Sequence, residues 1–515
     1  MKEKDMVTQL RLEPVSETMA QYIRNRKLAV RLKMLLEAKK DGRRKGRLVL
    51  QGFRAPAWWR VGAVDSPVVA TATIRTIIFR RNQRPDEILS SFDFDLAFLQ
   101  SDAFAPTERE KHVSFCPHPG YPEEIYKLTG PLYGSDDAPM RFFNTVAPWL
   151  ISIGFTQAKN DPCLFTNLET GVQLGLHVDD GLVRATVYDT ENFYNLLGSR
   201  FKYKTPTYLT PETPLQFVGL TIKEYFNEDG HLLRSIDCTR DTVDLLKTAG
   251  TTVPDIRKVK CPMPNTSEMA MDATPLSGLE ATWVRSVVGQ LQFLATMVRY
   301  DISHAVSRLS QYSHTPTEGS RRALCRILGY LMSTVDFRIE GKVHGPSDHL
   351  ECCPDHIAIY SDSDHASDKK IDTRSQTGIM ILLSGVPCYW RSAKQPITAL
   401  SSAEAEIYAL SESVKHGRLF LWRCEEANIP VKWPMAIYVD NTQSKSFQNA
   451  TCINSKLRGV FDLRDGWVQE LRDKSQVETV TIPRDENHAD ILTHCLSSGN
   501  FNKQVGHIQN QVNGD

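Results

Sequence analysis

Several acidic residues of this 515-residue chain fall where ordinary surface acids are not required. In "LGLHVDDGLVRAT" the adjacent Asp179 and Asp180 stand between two short apolar runs. Neighbouring carboxylates repel and apolar flanks would bury them, so the pair is costly unless a cation offsets it. "FDFDLAF" supplies a third acid from another strand, Asp93 or Asp95. Further along, Asp362 ends an apolar run in "IYSDSD" and Asp440 ends another in "IYVDN". Glu406 lies in the first turns of a helix, and Asp490 opens a last helical segment in "NHADIL". Three acids around a hairpin and four at one sheet end are two sets of hard oxygen ligands, suited to Mg2+, with Mn2+ as the alternative. Two such ions about 4 Å apart can activate an attacking oxygen and stabilise the leaving oxygen of a phosphodiester. The plainer alternative makes Asp179 and Asp180 turn formers and the rest surface or capping acids.

These acids need firm elements beneath them. "VQLGLHVDDGLVRAT" reads as strand, polar interruption and strand, a hairpin with the carboxylates at its turn. "DSPVVATATIRTIIF" and "SSFDFDLAFLQ" read as strands and a helix, and residues 16–41 read as a charged helix. "LQFVGLTIKEYF" and "HLLRSI" suggest further antiparallel strands, and the chain from "LEATWV" to "LGYLMST" has helical spacing. A linker rich in Gly, Pro, Ser and Asp, "EGKVHGPSDHLECCPDH", follows. Beyond it come three short strands, a long helix opened by the capping sequence "SSAE", strand "MAIYVDN", a helix near "WVQELRDK", strand "VETVTIP" and helix "HADILTHCL". That order predicts a mixed sheet flanked by helices. Residues 499–515 read as a polar tail.

Lys plus Arg and Asp plus Glu are both 61, so net charge points to no partner, although "RNRKLAVRLKM" and "KKDGRRKGR" are locally basic and could meet phosphates. The 11 cysteines form no CxxC pair, and the vicinal Cys352 and Cys353 make a poor zinc set, which favours a reduced intracellular protein. No apolar run is long enough to span a bilayer.

In combination and order, "KGRLVLQGF", "DLAFLQ", "KLTGPLYG", "HVDDGLV", "FVGLTI", "YSDSDHASDKKIDTRSQTG", "ALSSAEAEIYAL", "VDNTQS" and "ADILT" make the chain resemble the reverse transcriptase and ribonuclease H part of copia-type LTR-retrotransposon Pol polyproteins. The match runs from about residue 33 to 497. The resemblance implies an α/β and α+β multidomain chain, a right-hand polymerase followed by a ribonuclease H-like mixed sheet. Fingers and palm would occupy residues 1–230, a largely helical thumb or connection 231–345 and the nuclease 355–498. It implies RNA-directed DNA synthesis from deoxynucleoside triphosphates on an RNA or DNA template–primer, cleavage of the RNA–DNA hybrid, two Mg2+ per site and a cytoplasmic or nuclear location without membrane. Residue by residue, it selects Asp93 over Asp95 as the first palm acid, with Asp179 and Asp180 as the palm pair. It puts Phe98 at the aromatic gate beneath the sugar and Arg47 at a triphosphate contact. It makes Asp362, Glu406, Asp440 and Asp490 the nuclease metal ligands, with Glu404 second to Glu406.

The chain departs from the family at "LYGSDDAPM", where Asp136 and Asp137 replace basic and amide residues and would repel phosphates. "MVRYDI" replaces "TRPDI", and "RGVFDLR" lacks a usual His while keeping Asp462. The capsid-like region, protease and integrase that precede this part in a full element are not in the sequence. These departures motivate a rival reading, a truncated or decayed element that binds nucleic acid without catalysis. The seven intact acids oppose it.

Overall fold

The computed structural model describes residues 11–38, 44–59, 65–116, 123–253, 255–263, 269, 272–345, 355–365, 373–440 and 463–510. Cys352, Cys353 and Asp462 lie outside them. The chain is mixed α/β and divides into two compact units, residues 1–69, 92–183 and 188–206, and residues 70–91, 184–187 and 207–515. No helix among the described residues is long and apolar enough to cross a membrane.

The first unit opens with a five-stranded sheet in the order Leu12–Pro14, Glu124–Leu128, Lys111–Phe115, Val30–Ala38, Arg44–Leu50. Here the expected helix over 16–41 is corrected. The helix is only Glu17–Arg26, closed by Lys27 in the left-handed conformation, and the chain continues as strand Val30–Ala38. Val30 and Leu32 bury against Leu48, Leu50, Val113 and Leu128, while Arg31 and Lys33, the residues that follow them, stay exposed. The charges that read as a helix face are the solvent side of a period-two strand.

A second sheet has the order Thr207–Tyr208, Glu87–Asp93, Asp180–Thr186, Gln173–His177, Leu164–Thr166, Thr156–Gln157. The division between units passes within its strands Glu87–Asp93 and Asp180–Thr186. In the first unit the rings of Phe92, Phe94, Phe142, Phe193, Phe201 and Tyr203 pack edge to face or tilted around the ends of these strands. Such contacts fix the strand ends more tightly than area burial alone.

The second unit holds a four-stranded sheet, ordered Leu215–Phe217, Leu220–Phe226, Leu232–Asp237, Arg338–His344, beside helices Thr239–Thr252, Gly278–Met297, Ser303–Ser310 and Glu318–Ser333. The boundary expected at 230/231 falls between two paired strands, Leu220–Phe226 and Leu232–Asp237, and residues 231–345 share a unit with the sheet that follows. At "MVRYDI" Arg299 and Asp301 form a buried ion pair at 2.8 Å, so this departure keeps a structural pair.

The mixed sheet predicted from the C-terminal pattern is present. Val386–Lys394, Gln376–Leu383 and Ile357–Ser363 run antiparallel, and Met435–Val439 and Val477–Thr481 add in parallel. Helix Ser402–Glu426 packs on it. Two end elements differ from expectation. Asp490–Leu492 is a single 3-10 turn, and the expected polar tail is largely helix Ser498–Asn510. Phe501, Val505 and Ile508 are buried at i, i+4 and i+7, an apolar stripe diluted by Asn, Gln and His.

Candidate metal and nucleotide sites

In the first unit, strand Gln173–His177 turns through Val178 and Asp179 into strand Asp180–Thr186. Val178 has φ 57°, a rare and strained conformation for a β-branched residue. A Cβ on Gly181 would lie 2.1 Å from the Phe92 ring, so only glycine lets the hairpin press against the strand that carries Asp93. The Phe94 amide donates to the Asp179 carbonyl at 2.7 Å and locks the two together. Burial, then the Asp179 charge, raises the Asp180 carboxyl to about 6. Asp93 carries an ion pair with Lys204, whose amide also donates to the Asp93 carbonyl at 2.9 Å. Asp95 is exposed, and its amide donates to the Lys202 carbonyl.

Phe98 is half-buried, with its ring 5.0 Å from Tyr133. The Leu50 amide donates to the Tyr133 carbonyl at 2.7 Å. A Cβ on Gly134 would lie 2.2 Å from the Leu50 carbonyl, and Gly134 has φ +86°, so the "LYG" glycine permits this approach. Burial, then Asp179, raises the Tyr133 hydroxyl, while Arg47 on strand Arg44–Leu50 opposes the shift. Tyr133 thus lies among Phe98, Asp179 and Arg47, a position the sequence reading did not assign. Asp137 corrects an expectation. It is 5% exposed and accepts from Arg141 at 2.7 Å within a network of Glu108, Lys111 and Arg141, so it faces the protein interior. Asp136 remains exposed.

In the second unit Asp362 is 2% exposed and Asp490 4%. Carboxylate oxygens of Asp362, Glu406 and Asp440 all lie within 4.8 Å of one another, and Asp362, Asp490 and His494 form a second such group. Burial, then Glu406, pushes the Asp362 carboxyl well up. Burial, then Asp440, raises Glu406 to about 8 despite a Ser363 hydrogen bond, and burial raises Asp440. Thr493 donates to Asp362, and Arg484 pairs with Asp490 at 3.3 Å. His494, 3.5 Å from Asp362 and 3.8 Å from Asp490, was missed in the sequence. Its signal is weak, a histidine four residues after Asp490. Glu404 is excluded from the cluster by its own work: it caps the helix start, accepting from the Leu400 amide while its amide donates to Ser401.

The donor chemistry of this second cluster fits a divalent cation: mutually repulsive carboxylate oxygens at least half-buried, with Asp362, Glu406 and Asp440 raised in pKa. Asp93, Asp179 and Asp180 have the same chemistry but are not among the groups that converge to 4.8 Å among the described residues, and Lys204 supplies positive charge at Asp93.

Residues 24–227 match the reverse transcriptase (RNA-dependent DNA polymerase) family. The chain is 29% identical over 485 residues to the retrovirus-related Pol polyprotein from transposon RE2 of Arabidopsis thaliana, covering 91% of this chain and 31% of that protein. It is 29% identical over 479 residues to the corresponding polyprotein of transposon RE1 of the same plant, covering 90% and 30%. It is 26% identical over 497 residues to the Pol polyprotein from transposon TNT 1-94 of Nicotiana tabacum, covering 92% and 35%. The chain therefore spans about a third of the length of these curated relatives. The acids at the hairpin tip lie inside the segment that matches the reverse transcriptase family, and the similarity to retrovirus-related Pol polyproteins of transposons continues over nine tenths of the chain.

Proposed function

We propose that this chain is an RNA-directed DNA polymerase with a linked ribonuclease H. Its fingers and palm lie within residues 1–230, its thumb and connection within 231–345 and its nuclease within 355–498. The observation that carries the reading is the hairpin of Asp179 and Asp180 fastened to the end of the Asp93 strand, inside the segment that matches the polymerase family. The second cluster of Asp362, Glu406, Asp440 and Asp490, on a mixed sheet outside that segment, supports the nuclease.

Asp93, Asp179 and Asp180 would hold Mg2+ or Mn2+ in the polymerase, and Asp362, Glu406, Asp440 and Asp490 would hold it in the nuclease. Bound cations supply the charge that activates an attacking oxygen and stabilises a leaving one. The chain's own residues do the positioning. Phe98 lies beneath the sugar of the incoming deoxynucleoside triphosphate, where an apolar ring excludes a 2′-hydroxyl by volume and offers it no hydrogen bond. Tyr133 braces that ring, and Arg47 presents its guanidinium to the triphosphate. The template–primer and the RNA–DNA hybrid are gripped mainly through backbone and shape.

Separate substitutions test the two activities on one chain. Asp179→Asn should lower primer extension by about 10³-fold, about 4 kcal/mol of barrier, and leave hybrid cleavage intact. Asp362→Asn should do the reverse. Near-normal extension by Asp179→Asn contradicts the polymerase assignment, and a wild-type chain that neither extends nor cleaves supports the decayed element.

A further inference from the structure

The candidate ligands in the second unit form two groups that share Asp362 and differ in kind. Asp362, Glu406 and Asp440 offer oxygens only. Asp362, Asp490 and His494 offer two carboxylates and an imidazole. The difference bears on which cation each group can hold.

The second group is built on one turn and one strand. The His494 amide donates to the Asp490 carbonyl at 3.0 Å, an i to i+4 bond that puts both residues on one face of the turn. Two ligands at this spacing need little reorganisation to chelate one ion. Asp362 supplies the third from the buried strand Ile357–Ser363. His494 Nε2 lies 3.5 Å from Asp362 Oδ2 and 3.8 Å from Asp490 Oδ1. Bonds of about 2.1 Å to a tetrahedral ion set its ligand atoms roughly 3.4 Å apart, so these distances are close to those around a shared ion. Three protein ligands leave a position for water or for a substrate oxygen.

The same distances also suit an ion pair, in which a protonated imidazole would offset the two acids. Each acid, however, already has a donor of its own: Arg484 pairs with Asp490 at 3.3 Å, and the Thr493 hydroxyl donates to Asp362. At neutral pH an ordinary imidazole offers a nitrogen lone pair more often than a charge. That nitrogen changes the metal. Mg2+ is a hard cation that takes oxygen ligands and dehydrates reluctantly. Imidazole suits first-row transition metals, Zn2+ among them.

We propose that His494 is a direct ligand of a cation held with Asp362 and Asp490, and that this position selects a transition-metal dication over Mg2+, leaving the all-oxygen group of Glu406 and Asp440 to Mg2+. For the use of the ion in cleavage, the inference rests on the nuclease reading.

The test adds Mn2+, as a paramagnetic probe, to the chelator-stripped full chain in excess Mg2+ and reads the bound ion by pulsed EPR. Wild type should show nitrogen hyperfine coupling from an imidazole bonded directly to Mn2+. His494→Gln should lose that coupling and bind Mn2+ at least about tenfold more weakly, the lower end of what losing even an outer partner of a metal ligand costs. His494→Asp restores a ligand but makes it oxygen. It should hold Mn2+ without nitrogen coupling, which separates a lost ligand from a folding defect, and its preference for Mn2+ over Mg2+ should fall at least about tenfold. Absence of nitrogen coupling in wild type overturns the proposal, as does coupling that persists in His494→Gln. An equal preference in wild type and His494→Asp overturns the selectivity. Hybrid cleavage by Asp362→Asn, measured alongside, distinguishes the failures: unimpaired cleavage removes the nuclease reading, whereas the nitrogen coupling reports the ligand whether or not the chain cleaves.

Discussion

Asp362 lies near the end of a strand buried along its whole length, while Asp179 and Asp180 lie at the half-exposed tip of a hairpin. Both sites gather acids, yet they manage the repulsion differently. The Asp362 cluster brings the carboxylates of Asp362, Glu406 and Asp440 within 4.8 Å of one another, with Asp362 buried and the other two half-buried, and all three have raised pKa values as the cost. The hairpin site spreads its charge. Asp93 is neutralised by Lys204, and Asp180 rises only to about 6. A cluster whose carboxylates already converge is preorganised for a cation before substrate arrives, whereas a spread one completes its geometry with its ligands.

The largest expected effect sharpens the buried side of this contrast. Glu406→Gln should cut hybrid cleavage by about 10³-fold. Glu404→Ala, two residues away, should cost about 1 kcal/mol of stability as a lost cap and leave cleavage within a few-fold. Equal loss of cleavage in both variants would show that the helix start, not the Glu406 carboxylate, matters. Next in size, Phe98→Ala should raise ribonucleotide incorporation relative to deoxynucleotide by about tenfold, read as the ratio of incorporation efficiencies. A mutant that loses stability by about 3–5 kcal/mol with its sugar preference unchanged makes Phe98 a packing residue. Smallest is Lys204→Ala. The pair with Asp93 is largely exposed, so stability should change by under about 1 kcal/mol. The Mg2+ concentration for half-maximal extension should fall a few-fold, because a competing cation is gone. An unchanged or higher requirement would show that Lys204 assists rather than competes.

The legible parts of this molecule were the local ones. Strand ends carrying Asp362 and Asp440, the Ser401 cap and the hairpin around Asp179 follow from short apolar runs and turn chemistry. Glu404 and Glu406 share one helix turn, and only the partners at Leu400 and Ser363 separate their roles. Less legible was whatever depends on residues far apart in sequence. Val30–Ala38 is a strand because Arg44–Leu50 and Lys111–Phe115 flank it, although its charges also suit a helix. Asp137 turns inward because Glu108, Arg141 and Lys111 await it. Lys204 and His494 join acids 111 and 132 residues away, at spacings that no local pattern encodes.

The cation site proposed at Asp362, Glu406 and Asp440 requires a fold that tolerates the repulsion among these acids. Glu406 in the folded chain titrates near 8, above the usual carboxylate range, so between about pH 5 and 8 the folded protein binds a proton that the unfolded chain has lost. The stability this proton supports is full below the unfolded pKa and is lost as pH rises through about 8. Thermal unfolding of chelator-treated wild type and Glu406→Gln, each at pH 5 and pH 8 with and without Mg2+, measures it directly. Wild type should lose more Tm than the variant on going to pH 8, and Mg2+ should restore that loss in wild type only. Parallel pH dependences in the two proteins, or no recovery with Mg2+, would contradict it.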